Sequence, residues 1–321
     1  IVFHNFYFSH HHLGFRMLDA VLCKKNIGIK VQDMIHALYH LTKPTITLLV
    51  VITTLPGILL ASSSFPDLVV VIGILLGAGF ASASAAVFNQ TIEAGIDQQM
   101  ERTNKRSLPT GKVSTMQAVC WGFFLLFLAL LFFLGFATPL AAWVALAGHL
   151  FYVLVYTMYL KHRTAQNIVI GGAAGAVGPL IGWTAITGSF GWPAWVLFLI
   201  IFLWTPPHFW ALAIKYKQDY AKVGIPMYPI IYGDHRTRKV ILLYTLALLP
   251  VVVSLYLAQV AGLIYVLVGV GLTLKFIYDA FVLYRSENNA RAMPLFHFSC
   301  LYTLGIFGAL TIDRLVFLFS V

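Results

Sequence analysis

The chain is 321 residues long, 60% hydrophobic, and only 10% of it is Asp, Glu, Lys or Arg, against about 25% charged residues in an ordinary soluble domain. Its mean hydropathy is +0.86, and several apolar runs reach the ~20 residues a helix needs to cross a bilayer. Together these exclude a soluble globular protein, a disordered chain and a fibrous repeat, and the formal net charge of +10 comes with no helix-turn-helix or RNA-binding signature that would tie it to nucleic acid.

In chain order, Ile1 to Arg16 has neither a basic n-region nor a small-residue cleavage site, so it is not read as a secretory signal. Met17 is an alternative start, which would make residues 1–16 non-native, and residues 1–35 read as an N-terminal cytoplasmic tail before a single membrane domain over 36–321. His10, His11 and His12 read as a disordered end rather than a metal site. Nine apolar segments follow, at about 41–61, 68–88, 116–136, 138–160, 166–187, 192–214, 238–259, 262–283 and 295–318. Of the 21 Lys and Arg, 19 fall ahead of the first segment or around the connections after the second, fourth, sixth and eighth. The connections of opposite parity, around Asp67, Thr138, Gly188 and Gln259, have none; Lys275 and Arg314 are read as lying near span ends. The positive-inside rule then places the N-terminus and the basic loops in the cytoplasm and the C-terminus outside. Cys23, Cys120 and Cys300 stand far apart and suggest neither a disulfide framework nor a zinc site.

The end of the second segment and its loop carry the first polar motif, Asn89-x3-Glu93-x3-Asp97, followed by Arg102, Lys105 and Arg106. Positions i, i+4 and i+8 share one helix face, so the three form a stripe of oxygen donors. Such a set suits Mg²⁺, which takes a few carboxylates together with substrate phosphate oxygens. The basic residues a turn or two later could clamp a diphosphate. The plainer reading pairs these carboxylates with nearby cations in interfacial water, but carboxylates on a helix continuous with a span are costly and usually have a task. Asp219, in the loop after the sixth segment, lies 122 residues beyond Asp97. Four spans separate them, so both loops return to one face. The spacing reads as two four-helix pseudo-repeats plus a ninth span.

Further motifs are LTKP at 41–44, YT-x2-LK-x-RT at 156–164, Asn167 with GGAAGAVGP to Pro179, WTPPHFWALA at 204–213 and D-Y-x3-GIPM-x-P at 219–229. With the Asn89–Thr103 run, they make the chain resemble the UbiA superfamily of membrane prenyltransferases, and within it the branch that farnesylates haem, from about residue 35 onward. The resemblance implies an all-α bundle of nine transmembrane helices in the cytoplasmic (inner) membrane. It implies farnesyl diphosphate as donor, haem B as acceptor, haem O and diphosphate as products, and haem A synthase or a terminal oxidase as receiver. It further implies that Asn89, Glu93, Asp97 and Asp219 hold Mg²⁺ and act on the diphosphate. Substrate contacts would come from Lys43, Arg102, Lys105, Arg106, Lys161, Arg163, Asn167, His208, Tyr216 and Lys217. Three positions depart from the family pattern: Glu93 stands where Asp is common, Gln218 where an acid often precedes Asp219, and Thr45 where Arg is frequent.

Other features have competing readings. His208 follows Pro206-Pro207; it is a haem contact, as iron ligand or propionate partner, or it bonds a carbonyl freed by the prolines. His149 and His297 read as packing or hydrogen-bonding residues. Gly171, Gly175 and Gly178 read as points of close helix approach. Arg236, Arg238 and Lys239 read as orientation signals, and Trp192 and Trp195 as interface anchors. Two rival functions remain open, a UbiA-type transferase acting on a quinone precursor or other aromatic ring, and a membrane transporter.

Overall fold

The computed structural model describes residues 31–320; His10, His11, His12, Met17 and Cys23 lie outside them. Among the described residues, nine helices long and apolar enough to span a bilayer run over Pro44–Ala61, Leu68–Ile92, Thr115–Phe136, Pro139–His162, Asn167–Thr187, Trp192–Lys215, Asp234–Leu257, Leu263–Arg285 and Ala292–Ser320. These are the first to ninth spans, and among the described residues there is no strand. The chain is a polytopic membrane protein. An amphipathic helix, Val31–Leu41, precedes the first span and buries Ala37 and Leu41 beside Leu108 and Val113 of the loop after the second span.

The fifth and sixth spans are each 61% buried and the third only 22%, so the fifth and sixth form the centre. Phe123, Phe127, Leu134 and Trp143 turn outward, as they should where the surrounding solvent is hydrocarbon. The first and fifth spans pack against each other, and the ninth closes on the first, sixth and eighth. Glycine sets the central approach: a Cβ on Gly57 would stand 2.4 Å from the Pro179 carbonyl oxygen, and one on Gly182 2.3 Å from that of Thr54. Without side chains at these two positions, the backbones touch.

Three departures from regular helix shape the interior. The fifth span is two helices, Asn167–Gly175 and Gly178–Thr187, interrupted where Pro179 has no N–H to continue the ladder. In the fourth span the backbone widens to i→i+5 bonding over Phe151–Tyr159, a feature often found at working sites. The second span runs to Ile92, beyond the hydropathic limit near 88, because backbone hydrogen bonding continues after apolar side chains give way to polar ones.

At the opposite face, Asp313 accepts hydrogen bonds from the backbone N–H groups of Gly262 (2.5 Å), Ile264 (3.1 Å) and Tyr265 (3.3 Å) at the start of the eighth span. Its neighbour Arg314 donates to the carbonyls of Leu59 (3.1 Å) and Ser62 (2.8 Å) at the end of the first. A carboxylate meets a helix N-terminus and a guanidinium a C-terminus, the favourable pairing for both dipoles. Replacing Asp313 by Ala is expected to cost about 1–2 kcal/mol, visible as a lower melting temperature in detergent. Lys275 lies well inside the eighth span rather than near its end, where it pairs with Asp279 one turn on at 2.6 Å and covers the Phe298 ring at 4.8 Å.

Candidate functional site

The second span's regular helix ends at Ile92, but the hydrogen-bond register does not. Glu93 N–H donates to the Asn89 carbonyl (3.0 Å) and Asp97 N–H to the Glu93 carbonyl (2.8 Å). Asn89, Glu93 and Asp97 therefore stay stacked on one face, only 2–3% exposed, all three on the wall of one cavity. A cation holds each. Lys43 Nζ donates to Asn89 Oδ1 at 2.7 Å, Lys161 Nζ to Glu93 Oε1 at 2.5 Å, and Arg106 Nη1 to Asp97 Oδ2 at 2.7 Å. Buried carboxylates are stable only with such partners.

The partners are themselves held in place. Asn89 Nδ2 donates to Thr157 Oγ1 at 3.1 Å, and Thr157 in turn donates to the carbonyl of Tyr152, five residues back, at 2.9 Å. The widened backbone of the fourth span thus meets the amide. Asn167 Nδ2 donates to the Lys161 carbonyl at 3.3 Å and fixes the turn that carries that lysine. Lys43 caps the first span with φ 47 and ψ 66, a left-handed conformation uncommon outside glycine and often kept for function. Burial, and after it the nearby Arg106, lowers its ammonium to about 7. Gln90 donates to the Leu41 carbonyl at 2.6 Å, which holds the preceding helix against the second span.

The cavity measures about 1510 Å³, larger than the roughly 300–1,000 Å³ typical of a site for one small ligand. Its polar end holds the donor stripe with Lys43, Arg102, Lys105, Arg106 and Lys161; its other walls bring in Ile52, Ala85, Gly175, Ile201 and Trp204. His208 also lines it, with Phe296 and Cys300 of the ninth span.

Five of the residues singled out from sequence are not on this wall. Asp219 accepts hydrogen bonds from the backbone N–H groups of Glu101 (2.9 Å) and Arg102 (3.3 Å), so the second loop grips the first. Lys217 pairs with Asp234 at 2.8 Å. Tyr216 lies under the Arg102 guanidinium, 5.7 Å from its centre, and the Arg163 guanidinium covers Tyr159 at 4.3 Å. Asn167 is fully buried behind Lys161. Lining residues without a sequence assignment include Asp33, His36, His40, Gln90, Lys112, Tyr152, Tyr156 and Tyr220, and His149, read as packing, also reaches the cavity. Tyr152 and Tyr156 stack on each other; their spacing of four, and the place of Tyr156 at the head of the YT-x2-LK-x-RT run, were the available signals. Close approach holds at Gly171, whose Cβ would meet Tyr156 at 2.2 Å, and at Gly178, whose Cβ would meet Thr53 at 2.8 Å. It does not hold at Gly175, where no atom comes within 4 Å.

The stripe is a hard-oxygen donor set at the edge of a large chamber, with positive charge on every side. No three His, Cys, Asp or Glu side chains gather as a metal site among the described residues. A metal here must take an amide oxygen from Asn89 and complete its shell from a ligand, as Mg²⁺ prefers.

The UbiA prenyltransferase family model matches residues 50–310. The chain is 44% identical over 306 residues to a protoheme IX farnesyltransferase of Gloeobacter violaceus, covering 95% of this chain and 100% of that one. To the protoheme IX farnesyltransferase of Cutibacterium acnes it is 45% identical over 296 residues, covering 89% and 87%. Among solved structures, a digeranylgeranylglyceryl phosphate synthase superposes with a TM-score of 0.73 at 20% identity, over 88% of this chain and 99% of that one. A UbiA homologue from Archaeoglobus fulgidus bound to DMAPP and Mg²⁺ gives 0.64 at 16% identity, over 86% and 99%. The two solved structures share the fold.

Proposed function

The chain belongs to the UbiA prenyltransferase family, and from that membership we propose that it transfers farnesyl from farnesyl diphosphate to a vinyl group of haem B, giving haem O and diphosphate. One observation carries the reading: a chamber of about 1510 Å³, roomy enough for two substrates, has a buried stripe of oxygen donors, six Lys and Arg among its lining residues, and apolar walls beyond.

Asn89, Glu93 and Asp97 fit Mg²⁺ by donor type, and Mg²⁺ bound there would neutralise charge growing on the departing diphosphate. The protein's own cations share that task. Lys43, Lys161 and Arg106 already sit on the donor oxygens, so they are within reach of a diphosphate gathered there, and Arg102 and Lys105 extend the clamp. Preorganised charge of this kind favours the state in which the allylic C–O bond has broken. The apolar walls keep bulk water from the farnesyl cation, and aromatic faces such as Tyr152, Tyr156 and Trp204 favour it electrostatically. The cation bonds to the terminal vinyl carbon, one water adds to the adjacent carbon, and one proton leaves, completing the hydroxyethylfarnesyl group.

The residues off the wall are assigned indirect roles. Asn167 positions Lys161, Arg163 and Lys217 secure their turns, Tyr216 supports Arg102, and Asp219, which the family resemblance implies as a Mg²⁺ ligand, is assigned here to holding the loop that carries Arg102. Asp219→Ala is expected to lower kcat/KM by about 10–100-fold, mostly through KM for farnesyl diphosphate, and Asp219→Asn, which keeps an acceptor oxygen, by less. Steady-state kinetics at varied farnesyl diphosphate checks this; an unchanged KM in Asp219→Ala removes the role.

The one-sided distribution of Lys and Arg supports an N-terminus in the cytoplasm, a C-terminus outside, and location in the cytoplasmic (inner) membrane, with haem O passing to haem A synthase or a terminal oxidase. Membranes containing the protein should form haem O when given farnesyl diphosphate, haem B and Mg²⁺, and should leave 4-hydroxybenzoate unprenylated. Prenylated benzoate without haem O would instead assign the protein to aromatic or quinone-precursor substrates.

A further inference from the structure

His208 stands in the sixth span with its ring between two aromatic planes, Trp204 at 4.4 Å and 25° and Phe296 at 4.6 Å and 30°. Its Nδ1 lies 2.6 Å from Ser299 Oγ. The Ser299 hydroxyl is itself 2.6 Å from the Phe296 carbonyl oxygen, and a carbonyl can only accept. A hydroxyl has one proton to give, and here it goes to Phe296. The short contact with His208 therefore needs a proton from the ring: Nδ1–H donates to Ser299 Oγ. In a neutral imidazole that leaves Nε2 as a bare lone pair. Among the described residues no protein group bonds Nε2, and His208 borders the cavity. The prolines before it have not turned its ring onto a freed carbonyl.

A neutral imidazole clamped on both faces, with one nitrogen committed to an outer acceptor and the other bare toward a cavity, is arranged as metal-ligating histidines are. Building on the proposal that haem B is the acceptor, we infer that His208 Nε2 ligates the haem iron from the sixth span, with Ser299 as its positioning residue. Other donors on the same wall are less suited: His36 and His40 are exposed on the helix before the first span, and their Nε2 atoms face each other at 3.1 Å. His149 Nδ1 lies 3.4 Å from the Ala81 carbonyl oxygen, a long contact, and its ring has an aromatic neighbour, Phe88, at 5.7 Å but no clamp. Cys300 is a half-buried free thiol, and it is the thiolate rather than the thiol that ligates a metal. Ligation would fix the porphyrin at its centre, so that the vinyl edge is set relative to the donor stripe by the protein rather than by loose apolar contact.

The test is haem B titrated into the purified full-length protein, read by optical and EPR spectra and by redox midpoint. The wild type should show a histidine-ligated haem. His208→Ala should lose that signature and bind haem about tenfold or more weakly, and imidazole added to His208→Gly should restore it, which separates a lost ligand from a lost fold. Ser299→Ala should keep the ligand but raise the midpoint, since an imidazole without its acceptor donates less to iron. His149→Ala and Cys300→Ser should leave the spectrum as in the wild type. A wild-type spectrum in His208→Ala, or its loss in His149→Ala or Cys300→Ser alone, overturns the assignment; so does lost haem O formation in His208→Ala with the spectrum intact, which would make the lone pair a base for the added water. The same preparations assayed with farnesyl diphosphate keep the two proposals apart. Haem O from the wild type with no histidine signature sinks the ligation alone, and no haem O at all sinks the underlying reaction.

Discussion

Asp97→Asn is expected to lower haem O formation by about 10²–10³-fold while leaving the protein folded and inserted. Asn has nearly the size of Asp and can still accept from Arg106, now 2.7 Å from the carboxylate, so the packing around a residue only 3% exposed is kept. What is lost is a formal charge in the donor stripe. Arg106 retains 26% side-chain exposure and can solvate its charge when unpaired, so little stability is forfeited with the ion pair. Glu93→Gln should lose similar activity but also some stability, because its partner Lys161 is only 16% exposed and is left poorly solvated. Product formation across a Mg²⁺ titration, alongside melting temperature, separates these terms. Asp97→Asn turning over as the wild type at every Mg²⁺ concentration would remove Asp97 from the metal set.

The two kinds of information differ in how they are written into the chain. Nine spans could be read because each needs its own contiguous run of apolar residues, and their shared facing because Lys and Arg avoid alternate connections. The stripe of Asn89, Glu93 and Asp97 could be read because i, i+4 spacing survives even where the regular helix stops at Ile92. Asp219 was legible as important but not for what it touches, since its partners are two backbone N–H groups more than a hundred residues away and every residue but proline offers one. Asp313 was invisible for the same reason, capping a helix that starts 50 residues earlier. The widened turn that carries Thr157 to Asn89 has no compositional mark, and of three similar glycines only coordinates distinguish Gly175, with no neighbour within 4 Å, from Gly171 and Gly178 at contacts. For His208, sequence supplied the residue and its candidates, but the proton count depends on Ser299, 91 residues on.

Gly182→Val should be the most destabilising single change in the bundle. A Cβ there would stand 2.3 Å from the Thr54 carbonyl oxygen, 2.9 Å from the Ile58 nitrogen and 3.2 Å from the Gly57 carbonyl carbon. All three are backbone atoms of the first span, so no side-chain rotation relieves the clash; the first and fifth spans must separate. Gly57 faces the same seam from the other side, where a Cβ would stand 2.4 Å from the Pro179 carbonyl oxygen. Overpacking a core ordinarily costs about 1–3 kcal/mol, and a backbone-to-backbone seam lies at or beyond the upper end, so Gly182→Val should fail to yield a monodisperse peak in detergent and Gly182→Ala should melt several degrees lower. Gly175→Ala supplies the contrast: on the same span with no atom within 4 Å, it should melt as the wild type does. Equal melting temperatures for Gly182→Ala and Gly175→Ala would mean that the contact of the first and fifth spans is looser than these distances require, and that the chamber beside it is not held by that seam.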